Sequence, residues 1–238
     1  MDRATWLAMM RQYRAIAVVR APHLRIGQQI AQAAVNGGFR LIEVTWTSDR
    51  PAQLISQLRA QLPADCWVGV GTVLTDTDLT RAIAAGSQFC FTPHTDRALI
   101  DRCQTHGIPI IPGALTPTEI VAAWHCGAHS VKVFPCEAVG GPAYIRHLQG
   151  PLGHIPLIPT GGVTLETGPV YLKQGAIAVG IASSLFPRAL VEKQDWPAIQ
   201  RRSQTFLQCL TDLSPPVLDH TDAAQPSSGN SMSSKWTD

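Results

Sequence analysis

Eight short apolar runs, each leading into a helix-like stretch, leave few architectures open to this chain. The runs are Ile16–Arg20, Leu41–Thr45, Trp67–Gly71, Gln88–Thr92, Ile108–Pro112, Ser130–Phe134, Pro156–Thr160 and Ala176–Gly180. Between them the helical stretches stop at glycine, at Gly37-Gly38, Gly86, Gly107, Gly127 and Gly175, shortly before the next run begins. A glycine just past a helix accepts the left-handed turn that ends it and releases the chain into the next strand. Strands separated by helices must lie parallel, joined by right-handed crossovers. A doubly wound open sheet competes with a closed barrel, but no G-x-G-x-x-G opens the first helix. With eight strands in 238 residues, the expectation is an α/β fold: a single (β/α)8 TIM barrel, a form that typically needs about 250 residues.

Local signals refine this. Thr116-Pro117-Thr118-Glu119 reads as a helix cap, a proline at the first helical position and a capping-box glutamate. Asp76 and Asp96 mark the starts of the helices after strands three and four. Arg3–Arg14 reads as an amphipathic helix that covers the bottom of the barrel. Residues 1–213 form the expected barrel. Residues 214–238 turn to Pro, Ser, Asp, Asn and Gly, a composition that buries too little to offset the entropy of ordering, so a disordered tail is expected.

Hydrophobic residues make up 45% of the chain and charged residues 15%, which supports a large core. A net charge of +2 without a basic cluster argues against nucleic acid or an acidic membrane surface as partner. None of the six cysteines, Cys66, Cys90, Cys103, Cys126, Cys136 and Cys209, forms a C-x-x-C pair. They read as reduced thiols of a cytoplasmic protein. The N-terminus has no secretory pattern, and no apolar run approaches the roughly 18 residues that span a bilayer.

The chemistry centres on lysine. Of Lys132, Lys173, Lys193 and Lys235, only Lys132 lies inside an apolar strand. Alternation puts Ser130, Lys132 and Phe134 on one face and Val131 and Val133 on the other. The valines suit the face under the helices, so Lys132 points into the barrel. Burial there drives an amine toward its neutral form, which carbonyl attack requires. Glu43, in Leu41-Ile42-Glu43-Val44-Thr45, shares the inward face with Leu41 and Thr45. It serves either as the partner that neutralises Lys132 or as a general acid/base. Arg20 ends the first strand at the mouth, placed to grip a carboxylate.

Gly69-Val70-Gly71-Thr72 reads as a glycine turn closing strand three, and Pro159-Thr160-Gly161-Gly162 as one closing strand seven. Gly161 and Gly162, with Ser183 after strand eight as a possible cap for a short helix, suit a phosphate or carboxylate held by bare N–H groups. His125 and His129 are four apart but separated by Gly127, so no metal site is expected. His94 sits at the mouth.

These segments together resemble the bacterial 2-keto-3-deoxy-6-phosphogluconate (KDPG) and 4-hydroxy-2-oxoglutarate (KHG) aldolases. The matching pieces are Ile16–Arg20, LIEVT at Leu41–Thr45, VGTVL at Val70–Leu74, Thr92-Pro93-His94, IPG at Ile111–Gly113, VKVFP at Val131–Pro135, PTGGV at Pro159–Val163 and Gly180–Leu185. The resemblance implies a class I aldolase with Lys132 as Schiff-base nucleophile and Glu43 as proton shuttle. It implies Arg20 and Thr72 at the pyruvate end, Pro93 and Phe134 packing the pocket, and Thr160, Gly161, Gly162 and Ser183 on a distal phosphate. It also implies a homotrimer, a small 2-oxo acid as substrate, and no metal or organic cofactor. Two departures stand out: Thr47, where some members carry arginine, and Ala182, where the family often has glycine.

Two other readings share part of this pattern. A phosphate-binding barrel isomerase or epimerase would use the glycine loops and an acid/base glutamate without a nucleophilic lysine. A non-catalytic barrel would bind a small anion.

Overall fold

The computed structural model describes residues 1–213, so the tail expected at 214–238 lies outside the described residues. The strands are β1 Ala15–Val19, β2 Leu41–Thr45, β3 Trp67–Gly71, β4 Cys90–Phe91, β5 Ile110–Ile111, β6 Gly113–Ala114, β7 Val131–Val133, β8 Leu157–Pro159 and β9 Val179–Ile181. Every pairing between them is parallel. One sheet runs in the order β5-β4-β3-β2-β1-β9 and the other in the order β6-β7-β8. A bridge from Thr160 to Gly180 and the bond from Ile177 N–H to the Leu157 carbonyl, 3.0 Å, join the free side of β8 to β9.

The fifth predicted run, Ile108–Pro112, appears instead as two short pieces. Proline has no N–H to give a neighbour, so the ladder breaks at Pro112 and β5 and β6 lie on either side of it. The Pro112 carbonyl still accepts from Lys132 N–H at 2.9 Å. Of the other runs, two hold to the residue, Leu41–Thr45 and Trp67–Gly71. The first strand begins and ends one residue earlier than predicted, and the last is shifted toward Ile181. Ends of short strands depend on which hydrogen bonds close, which composition does not encode.

Helix boundaries follow the capping chemistry. Thr116 and Glu119 form a reciprocal capping box at the start of α6 (Pro117–His125). Asp96 caps α5 (Arg97–Thr105) through Leu99 N–H. Helix α4 (Asp76–Ala84) starts at Asp76 as predicted, with Thr75 before it as the cap through Asp78 N–H. The glycines at 86, 107, 127 and 175 all have positive φ.

Strand alternation sorts the core into two layers. Val68, Val70, Val131, Val133, Ile42 and Val44 pack outward among the helices. Ile16, Leu41, Phe89, Phe91, Ile111, Ile158 and Ala178 pack on the opposite face. The predicted N-terminal helix, α1 (Arg3–Tyr13), joins this second layer through Trp6, Met9 and Met10. Trp6 is fully buried, its ring centre 5.6 Å from that of Phe89 and 6.5 Å from that of Phe91. Its indole N–H donates to Ser130 Oγ at 3.0 Å. The helix therefore plugs the end of the strands opposite the candidate site. Among the described residues no helix is long and apolar enough to cross a membrane.

Candidate active site

β2 and β7 each deliver one ionisable group to the inner face. On β7 the valines pack outward, and Lys132, only 4% exposed, points in. Its amine lies 4.8 Å from the centre of the Phe134 ring and 5.9 Å from that of Phe91. On β2, Ile42 and Val44 pack outward and Glu43, 2% exposed, points in. The two groups form no ion pair with each other; the ion pairs among the described residues lie elsewhere, on more exposed side chains.

Their titration is set by this dryness. Burial holds the Lys132 amine below its ordinary value; Glu43 pulls it back up, and Arg20 pushes it further down. Burial raises the Glu43 carboxyl, and the charges of Lys132 and Arg20 partly reverse the rise. In both groups desolvation outweighs the partner, so each is driven toward its neutral form. Arg20 follows β1 directly and is exposed, with no hydrogen bond or ion pair to the described residues, yet it is near enough to act on both charges. It is a free cation at the rim of a dry pocket, a suitable grip for a carboxylate.

The segment Gly69-Val70-Gly71 closes β3 from within the strand, as the predicted run Trp67–Gly71 has it. Its valines face outward and its glycines face in, because larger groups take their space. A β-carbon on Gly69 would lie 2.2 Å from the Phe89 ring, and one on Gly71 would lie 1.7 Å from Glu43 Oε1. Thr72 follows with φ +60°, a left-handed conformation that a β-branched residue rarely adopts. Such strain is typically held in place by the surroundings of a functional site.

Phe134 connects the amine to the loop after β8. A β-carbon on Gly161 would lie 3.0 Å from the Phe134 ring, and Gly161 and Gly162 both have φ +85°. Thr160 is buried, shares the inner face with Ile158, and its hydroxyl has no hydrogen-bond partner among the described residues. Pro93 and Phe134 both line a cavity of about 300 Å³, together with His94, Thr95, Gly113, Ala114, Leu115 and Glu119. This cavity adjoins the Lys132 pocket at Phe134 and does not itself contain the amine. Glu119 is locked there by Leu115 and Thr116 N–H, which hold its carboxyl below the ordinary range.

Ser183 lies exposed in a turn after β9, closed by Leu185 and Phe186 N–H on the Ala182 carbonyl at 3.0 Å each. It caps no helix, contrary to expectation: α9 (Arg188–Glu192) begins after Pro187. The turn consumes those N–H groups locally. His125 closes α6, whereas His129 bonds Ile110 N–H, so the two histidines do not converge.

Two features escaped the sequence reading. The glycine pattern of β3 hinted at Gly71 but not at Glu43 leaning on it. The other is Glu137, whose Oε2 would lie 1.8 Å from a β-carbon on Gly162; a carboxylate thus rests against the candidate anion loop, and no motif signalled it.

The chain is similar to known proteins in sequence and in fold. It is 33% identical over 199 residues to the 2-dehydro-3-deoxy-phosphogluconate aldolase of Treponema pallidum, covering 84% of this chain and 94% of that protein. It is 30% identical over 193 residues to the KHG/KDPG aldolase of Escherichia coli, covering 81% of this chain and 90% of that one. In structure it is similar to the KDPG aldolase of Legionella pneumophila solved with pyruvate captured at low pH as a covalent carbinolamine intermediate. That match has a TM-score of 0.79 at 25% identity, over 87% of this chain and 98% of the other. Residues 7–202 match the family described as KDPG and KHG aldolase, and the chain belongs to that family.

Proposed function

We propose that this chain is a class I aldolase that reversibly cleaves 2-keto-3-deoxy-6-phosphogluconate to pyruvate and glyceraldehyde 3-phosphate, 4-hydroxy-2-oxoglutarate to pyruvate and glyoxylate, or both. The observation that carries this reading is a buried strand lysine held below its ordinary titration range, not ion-paired to the buried glutamate across from it.

In the proposed sequence the neutral Lys132 amine adds its lone pair to the C2 carbonyl carbon. The carbonyl oxygen takes a proton from the Glu43 carboxyl, giving a carbinolamine. The amine proton and then the hydroxyl leave as water, and an iminium remains. Glu43, now a carboxylate, accepts the C4 hydroxyl proton; the C3–C4 bond breaks, its electron pair moves into the iminium as an enamine, and an aldehyde departs. Protonation at C3 and attack by water then free pyruvate and the amine. A buried acid whose titration is raised suits both proton transfers.

Arg20 and Thr72 are assigned to the pyruvate carboxylate, and Pro93 and Phe134 to the apolar wall. Thr160, Gly161, Gly162 and Ser183 are assigned to the distal phosphate or carboxylate. The unpartnered Thr160 hydroxyl and the two left-handed glycines favour this assignment. The two sheets are read as one closed eight-stranded barrel, with β5 and β6 as a single strand interrupted at Pro112. We place the chain in one domain, as a homotrimer after its family. Its six free thiols are in keeping with a cytoplasmic location.

Pyruvate with borohydride tests the reading. A stable mass increase on the peptide carrying Lys132 is expected, and it should vanish in a folded Lys132→Ala variant. The absence of an adduct on the wild-type protein would refute the aldolase mechanism and favour a barrel isomerase.

A further inference from the structure

We propose that Gly71 is a positioning residue for the catalytic pair: its missing side chain opens a recess in β3 that parks the Glu43 carboxylate against the strand, out of ion-pair contact with Lys132. This rests on the reading of Lys132 as nucleophile and Glu43 as its proton shuttle.

The recess is visible in the packing. A β-carbon on Gly71 would lie 1.7 Å from Glu43 Oε1, 2.4 Å from its carboxyl carbon and 2.8 Å from Cγ. The glutamate therefore fills the space where any other residue would carry its side chain. Gly71 is not among the positive-φ glycines, so an alanine there is excluded by space rather than by backbone conformation. In the register of β2 and β3, Gly71 stands opposite Thr45 and Gly69 opposite Glu43. The carboxylate thus leans diagonally onto its neighbour strand. Glu43 makes no hydrogen bond to the described residues, so shape, not a bonded partner, sets where it rests.

What the recess prevents follows from the charges around the amine. The groups acting on Lys132 are Glu43 from β2, Arg20 beyond β1 and Cys90 from β4. Arg20 repels an ammonium, and Cys90 is a neutral thiol, raised well above its ordinary value by Cys103 and by burial. Among the described residues Glu43 is the one group able to hold Lys132 as a cation. In a dry interior a close carboxylate–ammonium contact is strong, and an ammonium has no lone pair for a carbonyl. With Gly71 the carboxylate stays near enough to move protons and far enough to leave the amine free.

The test is the pH dependence of pyruvate trapping by cyanoborohydride, read as adduct mass, in the full chain. Gly71→Ala, Glu43→Gln and their combination are compared with wild type. In Gly71→Ala the expelled carboxylate should pair with Lys132. Trapping at neutral pH should fall about tenfold or more and return as pH rises, since one unit of midpoint shift is tenfold. Adding Gly71→Ala to Glu43→Gln should not move the midpoint, because no charge remains to push. A Gly71→Ala profile that superimposes on wild type overturns the proposal, as does an equal shift in the Glu43→Gln background. Full turnover in Glu43→Gln alone overturns the proton-shuttle reading instead, and it is recognised without any change at Gly71. If Gly71→Ala does not fold, Gly71→Ala/Glu43→Ala, which removes the Glu43 atoms nearest the new methyl, should fold and trap with the midpoint of Glu43→Ala alone. Failure to fold there overturns the recess as the cause.

Discussion

Replacing Trp6 by phenylalanine tests whether α1 plugs the inner core. Trp6 and Ser130 are both fully buried, and the indole N–H is the hydrogen-bond partner of the serine hydroxyl. Phenylalanine keeps the six-membered ring against Phe89 and Phe91 but removes that donor and the pyrrole edge. A stranded buried hydroxyl costs about 1–3 kcal/mol. The unfilled space adds about 1 kcal/mol, in line with small core truncations. The expected loss is therefore about 2–4 kcal/mol, a large share of the roughly 5–15 kcal/mol that stabilises a folded domain. Urea unfolding should show a lower midpoint at an unchanged slope. Ser130→Ala should be costly alone but should recover about 1 kcal/mol in the Trp6→Phe background, because it deletes the group left unpaired. A loss under about 0.5 kcal/mol in Trp6→Phe, or full additivity of the two changes, would refute the plug. Ser130 is two residues before Lys132 on the same face, so the plug also keeps water from reaching the amine from below.

Stability should depend on pH through both buried groups. Lys132 releases its proton more readily in the fold than at its ordinary 10.5. Between the lowered and ordinary values the unfolded chain holds more protons, so stability rises with pH across that window; Lys132→Met should flatten the rise in urea midpoints. Glu43 holds its proton above its ordinary 4.5, so stability falls as pH climbs from there through the raised value, and Glu43→Gln should remove that fall. At the candidate anion loop, the Glu137 carboxylate rests against Gly162 and opposes a dianion. Glu137→Gln should lower KM for the phosphorylated substrate several-fold and KM for 4-hydroxy-2-oxoglutarate less, since its distal carboxylate carries a single charge. Equal changes for both substrates would show that the side chain acts on the fold.

The sequence by itself determined the alternation of strand and helix, the caps at Thr116 and Asp96, and the inward faces of β2 and β7. These are local properties. A residue's neighbours two and four places away decide which side of a strand it takes, and a cap needs only the next turn of helix. The same locality singled out Lys132 and Glu43, since an ionisable group between outward-facing β-branched residues is legible in five residues. Only the tertiary structure decided how the two stand to each other. Their separation depends on a glycine one strand over and on a register that no single segment encodes. It also decided that Pro112 divides a strand, that Gly71 yields its side-chain space to Glu43, and that Ser183 sits in a turn instead of capping a helix. Each of these follows from which backbone and side chain occupy a space first, and that becomes defined only when distant parts of the chain meet.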